Sequence, residues 1–135
     1  MGEEQEVLHT SHVIAVVGLS ANPGRYSYQV ASYLRGHGYR IIPVNPGETE
    51  ILGETCYPDL LAVPEKIDVV DIFRRTEDVP AVVQQAITIG VPVVWMQLGI
   101  VNEAAAAQAR GAGLKVIMDR CMMREHTKME LLGEI

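Results

Sequence analysis

VVGLSANPGRYSYQVASYL, Val16 to Leu34, is the stretch that decides the fold. An apolar strand runs into Gly18 and a loop of small residues follows. An amphipathic helix then extends from about Ser27 to Gly36, where His37-Gly38 supplies a C-cap signal. Strand, glycine turn and helix in that order open a βαβ unit. A dinucleotide fingerprint would read G-x-G-x-x-G here, yet Ser20 stands at the second glycine position and Pro23 at the third. What remains is a helix N-terminus facing the end of a buried strand, a favourable place for an anion.

Outward from this turn, strand-length apolar runs alternate with helical patterns. The strands are read at Val13 to Val17, Tyr39 to Val44, Ile67 to Phe73, Val91 to Gln97 and Leu114 to Met118. Thr76-Glu77-Asp78 caps a helix to about Ile89, with Pro80 in its first turn, and Asn102 caps EAAAAQAR up to Gly111. Glu48 to Pro64 reads as a loop with a short helical turn near Pro58 to Leu61. Strands apolar on both faces and joined by helices imply an α/β, Rossmann-like, doubly wound sheet of about five parallel strands with helices on both faces. One domain is expected over residues 1–135, with 1–12 an N-terminal extension and 121–135 a helical tail whose Met122, Met129 and Leu132 offer an apolar face.

Composition narrows the function classes. A chain of 135 residues, 48% hydrophobic and 21% charged, is long enough for one sizeable core. Its net charge of −6 argues against a nucleic-acid partner, although local arginines can still oppose the global sign. No apolar run reaches membrane-span length, and MGEEQEVLHT lacks a signal-peptide core, so no membrane partner and a cytoplasmic location are expected. Cys56 and Cys121 show no metal-site or disulfide spacing. Exposed sheet edges and the methionine-rich tail leave homo-oligomerisation open.

In such a fold the ligand site lies beyond the carboxyl ends of the strands, where strand order reverses. With the order 3-2-1-4-5 that reversal would fall between the first and fourth strands. Gly18, Ser20, Arg25 and Ser27 in the first loop can meet phosphate oxygens. The second strand ends Val44-Asn45-Pro46 without the acid that holds an NAD ribose, which argues against a nicotinamide dinucleotide. Phe73-Arg74-Arg75 reads either as a stacking and pairing site or as a solvated basic pair. The fourth loop, Met96-Gln97-Leu98-Gly99, joins an amide to apolar surface; Trp95 reads as core.

Of eight arginines, Arg25, Arg74, Arg75 and Arg120 fall at strand carboxyl ends. Cys121 reads as a reactive thiol or as a small buried hydrophobe. Asp68 and Asp71 point to opposite faces of the third strand and read as bracing acids rather than an acid/base pair.

Taken together, VVGLSANPGRYSYQVASYLRGHGYRIIPVNP, WMQLGI and DRCMMREH resemble the small stand-alone CoA-binding proteins related to the N-terminal domain of the succinyl-CoA synthetase α subunit. The resemblance spans about Val13 to Lys128 and implies a fold that binds coenzyme A or an acyl-CoA. Under it, Gly18, Ser20, Pro23, Arg25 and Ser27 hold the phosphates or the adenosine side, and Val44, Asn45 and Pro46 line the second loop. Phe73 and Arg74 follow the third strand, and Met96, Gln97 and Gly99 form the fourth loop. None of His9, His12, His37 and His126 stands where the synthetase carries its phosphorylated histidine, so ligase activity is not carried over. The expectation is a non-catalytic binding, carrier or regulatory module. The alternatives are an NAD(P)-dependent oxidoreductase, a CoA-dependent acyl transferase using Cys121, and a partner-binding domain with an empty site.

Overall fold

The structure, a computed structural model, describes residues 2–135. In chain order the elements are α1 (Glu3–Thr10), β1 (Val13–Val17), α2 (Tyr26–Gly36), β2 (Arg40–Val44), β3 (Glu50–Ile51), β4 (Glu54–Thr55), β5 (Val69–Ile72), α3 (Val79–Ile89), β6 (Val93–Met96), α4 (Glu103–Gly111), β7 (Lys115–Ile117) and α5 (Met122–Leu131). Five strands form one parallel sheet in the order β2-β1-β5-β6-β7, while β3 and β4 pair as a separate antiparallel hairpin. The long-loop reading of Glu48 to Pro64 missed that hairpin, because two-residue strands carry no periodicity to detect.

The period of two in the strand sequences divides the core into two layers. Ile14, Val16, Ile41, Val69, Val93, Trp95 and Ile117 face α1, α2 and α5. Ala15, Val17, Ile42, Val44, Val70, Ile72, Val94, Met96 and Val116 face α3 and α4. On α4 the buried residues are Ala105, Ala106 and Ala109, small enough to bring that helix close to α3 and the sheet. Asn102 caps it as expected, with its Oδ1 accepting the Ala105 N–H at 2.9 Å.

The strand order corrects one expectation. The third sequential strand, β5, lies beside β1, so the order is 2-1-3-4-5 and the reversal falls between β1 and β5 rather than between the first and fourth strands. Register pairs Val16 with Asp71 and Val17 with Ile72. From this seam α2 leaves toward one face and α3 toward the other, which opens a crevice above it. At the opposite end of the same strand pair, Asp68 Oδ2 accepts the His12 and Val13 N–H groups at 2.9 and 2.8 Å, a bracing role.

Two terminal segments add to the sequence reading. Residues 3–10, to which no element was assigned, form α1, and its Val7 and Leu8 are each 2% exposed against the layer that also holds α5. On α5, Met122 and Met129 are buried as expected, but Leu132 lies past the helix end and is 73% exposed. No helix among the described residues is long and apolar enough to cross a membrane. Because Leu8 is a fully enclosed side chain, Leu8→Ala should lower unfolding stability by roughly 2–4 kcal/mol in denaturant titration. A loss below about 0.5 kcal/mol would mean that α1 is not part of the core.

Candidate functional site

Gly18 closes β1 at the seam, and its place tolerates no side chain. Its φ is +87°, and a β-carbon there would stand 2.2 Å from the Phe73 carbonyl oxygen and 3.0 Å from Arg74 Cδ. Backbone bonds lock this approach from both sides: Gly18 N–H donates to Val44 O at 2.9 Å, and Phe73 N–H donates to Val17 O at 2.8 Å. Glycine is required because it combines positive φ with the missing atom.

The first loop is then held by its own polar side chains. Ser20 N–H donates to Ser27 Oγ at 3.0 Å, Asn22 N–H to Ser20 Oγ at 3.0 Å, and Gly24 N–H to Asn22 Oδ1 at 2.9 Å. Both serine hydroxyls act here as acceptors, so each keeps an O–H that can donate to a ligand. Arg25 occupies the N-cap of α2 without capping it, and the first turn carries no acid. The helix therefore presents its unpaired N–H groups and positive dipole end to the crevice with no carboxylate to compensate them.

A cavity of about 220 Å³ lies here, lined by Gly18, Ser20, Arg25, Tyr26, Ser27, Phe73 and Ile100. A second, of about 140 Å³, shares Gly18 and runs past Val44, Pro46 and Arg74 toward α3. Arg25 and Arg74 make no ion pair among the described residues. The other two strand-end arginines are engaged elsewhere. Arg75 pairs with Glu77 at 3.4 Å and Asp78 at 3.2 Å, and Arg120 reaches Glu4 of α1 at 3.6 Å. Of the four strand-end arginines, Arg25 and Arg74 are thus the two without an ion pair among the described residues.

Several of the residues expected at the site also make contacts that brace the loops. Asn45 Nδ2 donates to Leu19 O at 2.9 Å and its Oδ1 accepts Gly47 N–H at 2.8 Å, tying the second loop to the first. Met96 is fully buried toward α3 and α4, and Val44 is 2% exposed. Gly99 N–H donates to Asp119 Oδ1 at 2.7 Å, joining the fourth and fifth loops. Trp95 is core, its Nε1 donating to Arg120 O at 2.8 Å. Pro23 and Pro46 are exposed at the rims.

Beneath the seam lies a group the sequence reading undervalued. Asp71 is fully buried and accepts from Gln97 Nε2 at 2.7 Å, while Asp71 Oδ2 and Gln97 Oε1 have no partner among the described residues. Burial pushes the Asp71 carboxyl up to about 8, against a smaller lowering from the Gln97 hydrogen bond. Burial thus favours the protonated, uncharged form of this carboxyl at neutral pH and works against a negative charge at the floor of the crevice. Sequence alternation separates Asp71 from Asp68 onto opposite faces of the strand, but the amide that meets it comes from a distant segment and carries no local signal.

Tyr26, also not singled out from sequence, roofs the same region. Its ring meets Phe73 edge-on at 6.0 Å and its hydroxyl donates to Cys121 Sγ. Burial first, and then the Cys121 contact, hold the Tyr26 phenol well above its usual range. Cys121 is only 2% exposed. Beside this polar cluster, Leu98 and Val101 are 44% and 40% exposed, an apolar rim next to Ile100.

Comparison with known proteins shows the family and the fold. A family model described as "CoA binding domain" matches residues 12–127. YneT of Bacillus subtilis (strain 168), an uncharacterized protein, is 42% identical over 124 residues, 92% of this chain and 92% of its own. The ADP-forming acetate–CoA ligase I of Archaeoglobus fulgidus is 35% identical over 80 residues, 59% of this chain but 12% of the ligase. A hypothetical protein from Pyrococcus horikoshii OT3 superposes with a TM-score of 0.92 at 43% identity, covering 95% of this chain and 90% of that one.

Two outcomes are expected from the seam. Gly18→Ala should cost roughly 3 kcal/mol or more in unfolding stability, since the Phe73 peptide just past β5 is tied to Val17 by its N–H and its carbonyl has little room to retreat. An ordinary surface-like cost below about 0.5 kcal/mol would contradict the close approach. For Asp71 the folded state holds a proton that the unfolded chain releases near pH 4, so stability should fall as pH rises from about 4 to about 8. Asp71→Asn, which removes the titrating carboxyl while keeping an oxygen to accept from Gln97 Nε2, should flatten that slope and gain on the order of a few kcal/mol at pH 8 in urea unfolding.

Proposed function

The chain belongs to the CoA binding domain family, and from that premise we propose that it binds coenzyme A, free or acylated, across the carboxyl ends of β1, β2 and β5 as a binding, carrier or regulatory module. The observation that carries this reading is the pair Arg25 and Arg74. They flank Gly18 at the seam, have no acidic partner among the described residues, and stand beside a helix N-terminus without a first-turn acid. Phosphate groups are the ligand chemistry such a place favours, because guanidinium forks and unpaired N–H groups both gain from a multiply charged anion.

In this reading the Ser20 and Ser27 hydroxyls donate to phosphate oxygens, while Pro23, Pro46 and Phe73 bound the adenosine side. Pantetheine runs over Gly99 and the apolar rim of Leu98, Ile100 and Val101. Val44, Asn45, Met96 and Gln97 act from beneath, by shaping the loops. Burial, which pushes the Asp71 carboxyl toward its neutral form, works against a charge that would oppose the anion. Acyl transfer through Cys121 is not part of this reading, since its sulfur is buried under the Tyr26 hydroxyl. Nor is nicotinamide dinucleotide binding, since β2 ends in Asn45, whose side chain is already engaged with the loops.

The test is calorimetric titration of ligand-stripped protein with CoA, acetyl-CoA and NAD at one fixed salt concentration. CoA should bind and NAD should not. Arg25→Ala and Arg74→Ala should each weaken CoA binding roughly tenfold or more, as loss of a charge-assisted hydrogen bond requires. Parent-like affinity in both variants would overturn the assignment of the phosphates, and NAD binding without CoA binding would overturn the ligand.

A further inference from the structure

At the amino ends of β1 and β2, opposite the crevice, a second constellation gathers. All four histidines of the chain, His9, His12, His37 and His126, line one cavity of about 200 Å³ although they are spread over 118 sequence positions. Two of them come together with Glu130, so that one ligating atom from each of His37, His126 and Glu130 lies within 4.8 Å of the others. His37 is the C-cap of α2, whereas His126 and Glu130 stand four apart on α5 and so share a face.

The tautomer of His37 is set by its surroundings. Its Nδ1 lies 2.7 Å from the Tyr33 carbonyl, which can only accept, so Nδ1 carries the proton and the neutral ring turns a lone pair out at Nε2. That Nε2 is 3.5 Å from Glu130 Oε1. A histidine whose second ring nitrogen donates to a backbone carbonyl is the arrangement that orients a metal ligand. The Tyr33 ring stacks on His37 at 4.0 Å, and its hydroxyl contacts His126 Nδ1 at 2.9 Å and Glu130 Oε1 at 3.1 Å, so one side chain positions all three groups. His126 is 2% exposed and gripped edge-on by Tyr39, while the His37 and Glu130 side chains are 33% and 43% exposed and open to the cavity side.

We propose that His37, His126 and Glu130 bind one divalent cation of the zinc class, tying the C-terminal end of α2 to α5 and leaving a fourth coordination position toward the cavity of His9 and His12. Two imidazoles and one carboxylate suit a borderline cation better than Mg²⁺ or Ca²⁺, which prefer oxygen. Metal–nitrogen bonds of about 2.0–2.1 Å in tetrahedral geometry put ligand atoms about 3.4 Å apart. The His37–Glu130 separation of 3.5 Å already matches this, and the three ligating atoms all lie within 4.8 Å of one another. The helix adds to the attraction, because the carboxyl end of α2 carries the negative end of its dipole.

The experiment uses tag-free full-length protein, stripped with EDTA and titrated calorimetrically with ZnCl₂. One equivalent should bind, and the melting temperature should rise by roughly 5 °C or more at a hundredfold excess over Kd. His37→Gln and Glu130→Gln, both at exposed side chains and therefore expected to fold normally, should each weaken binding tenfold or more. Cobalt(II) should give a visible d–d absorption that the double variant loses. No binding by the parent protein, or a parent-like single site in the double variant, would overturn the assignment. His126→Ala is the less informative change, because it opens the core beside Tyr33 and Tyr39.

Discussion

The Phe73 carbonyl stands 2.2 Å from where a β-carbon on residue 18 would lie, and the candidate site depends on that approach. β1 and β5 are hydrogen-bonded neighbours whose following helices leave to opposite faces, so a crevice forms only if the chain can turn sharply at the end of β1 without filling it. Glycine at positive φ meets both conditions. The stem of Arg74 then lies against Gly18, and the Ser20–Ser27 and Asn45–Leu19 hydrogen bonds hold the loop in place around it.

Charge follows from the same arrangement. An acidic chain presents a cationic spot because two of its arginines lack carboxylate partners, whereas Arg75 and Arg120 are neutralised by Glu77, Asp78 and Glu4. Beneath the seam, burial pushes the Asp71 carboxyl toward its neutral form. An anion above the seam therefore meets helix N–H groups and guanidinium without a compensating negative charge. The two ends of α2 are polarised in opposite senses, which suits an anion at Tyr26 and a cation at His37.

Much of the fold was legible from residue pattern. Val13–Val17, Arg40–Val44 and Val93–Met96 are β-branched or apolar on both faces, and their strand assignment needed only local information. The Asn102 cap and the Gly18 turn were readable for the same reason, since a cap or a positive-φ turn is a short-range device. The site was legible as a set of loops but not as a set of contacts. Gln97 reads as an amide for a ligand and is also a buried partner of Asp71, and α1 escapes the pattern because eight polar-rich residues show an apolar face only through Val7 and Leu8.

The sequence by itself determined the alternation of strands and helices, the sidedness of each strand, the glycine turn and the absence of an acid after β2, because each is written within a few neighbouring residues. Tertiary structure alone decided that β5 rather than β6 pairs with β1, which arginines stay unpaired, that Gln97 meets Asp71, and that four scattered histidines share a cavity. Those are pairings between segments distant in sequence. They are chosen by how whole layers pack and by which polar groups are left to satisfy one another, and no local periodicity records that choice.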